Sequence, residues 1–92
     1  MSAQPADLGG IHELFWAVRH DPRLAEDFVA KASELLRDFE VDPRLHAAVT
    51  RLDVRTLYEA GVNPYLLFFA AVELGLSRDE YYRRISVGGD DG

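Results

Sequence analysis

The chain has 92 residues, no cysteine and a formal net charge of -6, with a sequence pI of about 4.9. This length suits a single domain, and an apolar fraction of 48% is typical of a globular rather than a disordered protein. The acidic balance argues against nucleic-acid binding, which depends on basic surfaces, and the lack of cysteine excludes disulfides, thiolate metal sites and cysteine nucleophiles.

The N-terminal segment is small and polar, and it lacks the basic start and the apolar run of a signal peptide. We therefore expect a cytoplasmic protein in which residues 1–9 form a flexible N-terminus. Apolar residues between Ile11 and Val18 then recur at helical spacing, with Trp16 beside them. This pattern predicts a first helix over 10–20.

Two Asp-Pro pairs mark the starts of the following helices, because aspartate caps a helix and proline fits its first turn. The first pair opens an amphipathic helix predicted over 22–39, with apolar residues on one face and charged residues on the other. The second pair opens a short helix predicted over 43–51.

The fourth predicted helix is short. Asp53 is placed to cap it, it extends over 54–60, and Gly61 ends it, because glycine readily adopts the left-handed backbone found at helix ends. We expect Leu57 and Tyr58 to face inward.

The most distinctive stretch is an apolar helix in the second half of the chain. Asn63 is placed to cap it, Pro64 fits its first position, and Gly75 ends it. Nine of the ten residues from Tyr65 to Leu74 are apolar or aromatic. Such a helix needs cover on every side, and at this length it cannot span a bilayer. We expect it to share its surface between the protein's own interior and a protein partner, and we expect no membrane association.

The last helix is predicted over 78–86, where Ser77 and Glu80 have the spacing of a capping box. Residues 87–92 are expected to form a disordered tail. No segment shows the alternation of a strand. The sequence therefore predicts a single all-α domain over 10–86, a compact bundle of five to six short helices.

The sequence offers no evident catalytic or metal site. An iron or zinc site needs two histidines and a carboxylate that converge. His12 and His20 are two turns apart on one predicted helix, and His46 lies on another. Serine and threonine show no nucleophile motif, and there is no glycine-rich phosphate loop. We therefore expect no metal ligands and no catalytic residues in this chain.

Aromatic side chains exceed what an ordinary bundle of this size needs. They either fill the core or form a partly exposed rim, as at interfaces rich in tryptophan and tyrosine. Core packing explains Phe68 best. The residues expected to face partly outward are Trp16, Tyr65, Tyr81 and Tyr82. The candidates for contact with a partner, or for a lid over its substrate, are Trp16, Asn63, Tyr65, Phe68, Phe69, Tyr81 and Tyr82.

The order of these elements resembles a known family over residues 12–85. The most specific part is that Asp53, Leu57, the Asn-Pro pair and the apolar run up to Gly75 fall in the family's order. The chain is similar to the small helical subunit, often called the LigA subunit, of protocatechuate 4,5-dioxygenase-like extradiol ring-cleavage enzymes. The junction at 39–43 departs from the family, which tends to carry a Gly-Leu turn there.

The resemblance implies a non-catalytic all-α accessory subunit without a cofactor of its own. In that family a separate large subunit holds Fe(II), and the small subunit covers the mouth of the active site and helps to enclose the aromatic substrate. The expected partner is therefore a large dioxygenase subunit.

Other interpretations stay open. The chain is alternatively a stand-alone helical binding or adapter module without a dioxygenase role, which forms a homodimer through the apolar helix or binds a peptide. A leader-type precursor peptide is disfavoured because only a short segment follows Gly88-Gly89. A helix-turn-helix DNA-binding protein is disfavoured by the negative charge.

Overall fold

Residues 7–87, which the computed structural model describes, form α-helices joined by short turns. This part of the chain contains no strand, which confirms the predicted all-α bundle of five to six helices. Residues 1–6 and 88–92, which belong to the segments predicted to be flexible, lie outside the described residues. The helices are α1 (Gly9–His20), α2 (Pro22–Asp38), α3 (His46–Arg51), α4 (Val54–Glu59), α5 (Pro64–Glu73) and α6 (Arg78–Val87), with a 3₁₀ turn at Pro43–Leu45 before α3.

The observed helix bounds lie close to the predicted ones, with two differences inside the elements. The helix predicted over 43–51 divides into the 3₁₀ turn and α3. Helix α2 is kinked at Lys31, whose φ of -136° and ψ of 45° are not helical, although neither proline nor glycine lies there. Helix α1 begins at Gly9 and α6 extends to Val87, so each reaches one residue into a segment predicted to be flexible.

The helix starts use the side-chain caps that the sequence predicts. Asp21 Oδ1 accepts from the backbone N–H of Arg23 at 3.0 Å, and Asn63 Oδ1 accepts from that of Tyr65 at 2.9 Å. Asp53 caps α4 in the same way. Each cap satisfies an N–H group that a helix otherwise leaves unpaired, and is typically worth about 1 kcal/mol.

The predicted capping box at α6 forms in one direction only. Ser77 Oγ accepts from the backbone N–H of Glu80 at 3.1 Å. The carboxylate of Glu80 accepts from the side chains of Arg84 and Arg83 instead, each at 2.7 Å. These two guanidinium groups lower the pKa of Glu80 below its usual value. Ion pairs of α6 itself therefore take the place of the second capping bond.

Left-handed backbone closes two helices as predicted. Gly61 follows α4 with a φ of 103°, and Gly75 follows α5 with a φ of 104°. Glu40 (φ 56°) and Leu52 (φ 53°) adopt the same conformation without being glycine. Such a backbone costs a side-chain-bearing residue roughly 1–2 kcal/mol. Glu40 lies in the 39–43 junction, so this junction contains a strained residue.

The core is centred on α1, which packs against both α2 and α5. Ile11, Leu14 and Phe15 of α1 are completely buried. Helices α4 and α6 pack against each other, and α5 contacts α1, α4 and α6. The other buried apolar residues are Val18, Ala25, Phe28, Leu36, Val41, Leu45, Ala48, Val49, Val54, Leu57, Val62, Leu67, Ala70, Ala71 and Tyr81.

Gly10 lies where the start of α1 meets the end of α2. A Cβ atom at this position would meet the carbonyl oxygens of Phe39 and Glu40, closer than the 3.0 Å that real Cβ atoms keep. Both contact atoms belong to the backbone and cannot rotate away. The absence of a side chain at Gly10 is therefore what allows these two helix ends to touch.

We expect Gly10→Ala to lower the free energy of unfolding by about 1–3 kcal/mol, because the added methyl group forces α1 and α2 apart. Gly9→Ala is the matched control. Its Cβ would meet only Asp7 Oδ1, at 3.4 Å, so stability is expected to stay the same or to rise. Urea unfolding followed by circular dichroism measures both variants, and equal stability of the two would contradict this account.

Candidate interaction surface

Helix α5 divides its apolar surface between the core and the outside. Leu67, Ala70 and Ala71 are completely buried, whereas Tyr65 is 60% exposed and Val72 is 40% exposed. The helix is apolar on nearly every side, but its neighbours α1, α4 and α6 do not surround it. One apolar face therefore remains uncovered in the isolated chain.

Four aromatic rings of α5 and α6 form a continuous patch, which we call the aromatic surface: Tyr65, Phe69, Phe68 and Tyr82. Ring centroids lie 4.7 Å apart between Tyr65 and Phe69, 5.3 Å between Phe69 and Phe68, and 6.2 Å between Phe68 and Tyr82. Separations of this size are typical of aromatic pairs that hold each other in place. Tyr82 is 55% exposed, and the two phenylalanines are partly buried. The rings therefore form one continuous patch that is open to solvent.

Tyr81 was expected to face partly outward, and this prediction is wrong. The side chain is only 4% exposed, and it belongs to the core. Its ring lies edge to face against Phe68 at 4.9 Å and against Tyr82 at 5.4 Å. Tyr81 and Tyr82 are adjacent on α6, so their side chains point to different sides of the helix. Tyr81 therefore supports the aromatic surface from beneath.

Two arginines lie over the rings of the aromatic surface. The guanidinium carbon of Arg19, on α1, is 4.0 Å from the ring centroid of Phe69 and 5.5 Å from that of Tyr65. Arg78, at the start of α6, is 5.9 Å from the ring centroid of Phe68. Such cation–π contacts contribute roughly 0.5–1 kcal/mol each at exposed sites. Neither arginine could be identified from the sequence, because no local pattern brings either of them to these rings.

Trp16 lies on α1 about one turn before Arg19, and it is exposed as predicted. Its side chain is 57% exposed and stacks on His20, with ring centroids 4.1 Å apart. It also lines an open groove of about 510 Å³, together with Leu66 and Phe39. His12 and Glu13 complete the lining, which makes the groove mainly apolar with a polar edge.

The start of α5 is fastened to α1 by a hydrogen bond that sequence reasoning missed. The backbone N–H of Asn63 donates to Nε2 of His12 at 2.9 Å. This contact requires a neutral imidazole protonated on Nδ1, because a protonated ring has no acceptor nitrogen. Asn63 is therefore a structural cap that aligns α5 with α1, and its side chain is engaged with the backbone of α5.

Tyr58 of α4 was expected to face inward, and this prediction is also wrong. Its side chain is 47% exposed, whereas Leu57 beside it is completely buried, as expected. The reason is the same as for the adjacent tyrosines of α6. Neighbouring residues point about 100° apart around a helix, and α4 packs so that Leu57 faces the core while Tyr58 faces solvent.

A second depression of about 380 Å³ lies between α6 and the turn that joins α3 to α4, and several arginines line it. Arg84 donates to the carbonyl oxygens of Arg51 and Leu52, each at 3.1 Å. Arg55 donates to the carbonyl oxygen of Ile85 at 2.8 Å. These bonds attach α6 to α3 and α4, so we interpret the arginines here as structural.

Among residues 7–87, no group of three or more histidine, aspartate or glutamate side chains is arranged to hold a metal ion. No helix in the described part of the chain is long and apolar enough to cross a membrane. No family model and no curated protein matches the sequence, and no solved structure matches the fold. The resemblance to the small dioxygenase subunit therefore stays a prediction.

The buried phenol of Tyr81 leads to a prediction on pH. Burial, followed by the nearby phenols of Tyr82 and Tyr58, raises the pKa of Tyr81 above the usual value of 10.0. The neutral phenol is thus favoured by folding, so its contribution to stability is complete below about pH 10 and is lost as the pH rises through the folded pKa. In an ultraviolet titration of the folded chain, Tyr81→Phe should remove the last tyrosine transition.

Tyr65→Phe is the control for this titration, because it removes an exposed phenol outside the core. The last transition should persist in this variant. If Tyr81→Phe instead removed a tyrosine transition at lower pH and left the transition at the highest pH intact, the burial of Tyr81 would be contradicted.

Proposed function

We propose that the chain is a non-catalytic accessory subunit that binds a larger protein through the aromatic surface and through the exposed Trp16 of α1. The partner that the resemblance implies is the large subunit of an extradiol ring-cleavage dioxygenase. That subunit would hold Fe(II), and this chain would cover the mouth of its active site.

The observation that carries the proposal is the exposure of large aromatic rings that lie close together. Trp16, Tyr65 and Tyr82 are each more than half exposed, at 57%, 60% and 55%. Single exposed apolar residues are ordinary on protein surfaces, whereas a contiguous patch marks an interaction site. Tryptophan, tyrosine and arginine are also the residue types enriched where binding energy concentrates in interfaces, and Arg19 supplies the third type.

The arrangement of the rings favours a protein partner over a small molecule. Small-molecule sites are concave and bury most of their ligand. Here the rings pack against one another, edge to face in two of three contacts, and spread over two helices. Rings in this arrangement form a surface rather than the walls of a cavity. A protein that buries this surface would complete the cover that α5 lacks.

The proposed role in catalysis is indirect. A subunit that covers an active site removes water, which strengthens electrostatic interactions between the metal, the substrate and the surrounding residues. The aromatic surface would form part of the interface next to the pocket, and the ring-opening chemistry would belong to the large subunit.

Co-expression with a large subunit of the protocatechuate 4,5-dioxygenase type from the same genome tests this proposal. We expect the two chains to co-purify and the small chain to raise ring-cleavage activity. Tyr65→Ala and Tyr82→Ala should each weaken the complex by about ten-fold or more, because they remove central aromatic contacts.

Val29→Ala is the matched control, because Val29 is 75% exposed, lies on α2 and lines a depression with Glu73 and Leu74 at the end of α5 rather than with a ring of the aromatic surface. It should leave affinity and activity unchanged. The dioxygenase role would be overturned if the large subunit did not bind the chain and its ring-cleavage activity did not change when the chain was present. In that case, a stable homodimer in light scattering that Tyr65→Ala dissociates would favour the stand-alone adapter.

A further inference from the structure

We propose that the aromatic surface recognises a partner segment in which an apolar anchor is flanked by carboxylates, with Arg19 and Arg78 as the groups that bind those carboxylates. This inference rests on the proposed function in that it uses the same surface. It goes further by assigning the chemistry of the segment that docks there.

The position of Arg19 over the ring of Phe69 suits the binding of a carboxylate. Its guanidinium carbon lies at stacking distance from the ring of Phe69, 4.0 Å from the centroid. A guanidinium group carries its N–H donors at its planar edge, so a group stacked on a ring directs its donors away from the ring. A guanidinium group with free donors can bind a carboxylate through two parallel hydrogen bonds.

The N–H donors of the Arg19 and Arg78 side chains are unused. In the part of the chain that the structure describes, neither side chain forms an ion pair or donates a hydrogen bond. The described residues contain no buried side-chain nitrogen or oxygen that lacks a hydrogen-bond partner, so these unpaired donors are not buried. They therefore face solvent, where an incoming acceptor can reach them.

Among the described residues, ion pairs involve only some of the basic side chains. Acidic residues outnumber basic ones by 16 to 10, so carboxylates are plentiful. Arg55, Arg83 and Arg84 are each paired with a glutamate of a neighbouring turn. Among the described residues Arg19 and Arg78 form no such pair, and neither do Arg23, Lys31, Arg37 and Arg51. What distinguishes Arg19 and Arg78 is that their guanidinium groups lie over rings of the aromatic surface.

The net charge of -6 limits the kind of segment that fits. A strongly polyanionic partner would be repelled over long distances, although salt screens charges beyond about 8 Å at physiological ionic strength. A segment with one or two carboxylates next to an aromatic or aliphatic anchor offers acceptors to the two arginines and avoids this repulsion. A second copy of this chain is a poorer fit, because a symmetric contact would bring two copies of Arg19 into one interface.

A peptide-display selection on the immobilised full chain tests the inference without a known partner. Random peptides about 12 residues long are selected on the natural chain and on the double variant Arg19→Gln/Arg78→Gln. We expect aspartate and glutamate to be at least about two-fold more frequent in the first pool, next to aromatic or aliphatic residues. Arg51→Gln, which removes an exposed charge on α3, should select the same peptides as the natural chain.

A tryptophan-free peptide from the first pool is then measured by the fluorescence of Trp16, the only tryptophan in the chain. Replacing its acids by the corresponding amides should weaken binding about ten-fold on the natural chain and less than about two-fold on the double variant. Equal acid content in the two pools, or failure to recover any binding peptide, would overturn the inference. Binding to anionic lipid vesicles that depends on both arginines would also overturn it, since the ligand would then be a membrane surface.

This outcome is separable from that of the proposed function. If acidic peptides are selected and the large dioxygenase subunit does not bind, the dioxygenase role fails and the carboxylate-binding surface stands. If the large subunit binds equally well to the double variant, the accessory role stands and this inference fails.

Discussion

Helix α5 carries more apolar surface than the rest of this small bundle covers, and the other features of the molecule follow from that constraint. Its inner face, with Leu67, Ala70 and Ala71, packs into the core. Its outer face carries Tyr65 and Phe69, which no other helix buries completely. Apolar area costs about 25 cal/mol for each Å² left in water, so an uncovered aromatic face is unfavourable in isolation. This uncovered face is the basis of the proposal that a protein partner covers it.

The surroundings of α5 hold the exposed rings in a fixed arrangement. The bond from Asn63 to His12 aligns the start of the helix with α1. Tyr81 supports the rings from the core side, and Arg19 lies over them from the solvent side. A rigid, pre-arranged surface loses little conformational entropy on binding, which favours affinity. The same groups that stabilise the free surface are thus suited to recognition.

The positions of the helices could be predicted because their signals are local. Caps such as Asp21 and Asn63 act within one turn, and left-handed glycines such as Gly75 act at a single residue. The side of a helix that faces the core depends on how distant helices dock. Tyr81 and Tyr82 are equivalent in the sequence pattern, and only the packing of α6 decides which one is buried.

The same limit applies to the candidate site. Trp16 and Tyr65 could be predicted as exposed because their residue types suit an interface. The partners of Arg19 and His12 could not be predicted, because each contact joins α1 to residues about 50 positions later in the chain. Gly10 likewise looks like an ordinary glycine until the carbonyl groups at the end of α2 are placed against it.

The central claim, that the aromatic face of α5 and α6 is open in the free chain, is tested most directly by hydroxyl-radical labelling of the monomer, read by mass spectrometry. Comparing tyrosines alone removes differences in intrinsic reactivity between residue types. The account predicts that Tyr65 and Tyr82 are modified several-fold faster than Tyr81. Protection of Tyr65 and Tyr82 equal to that of Tyr81 would contradict it.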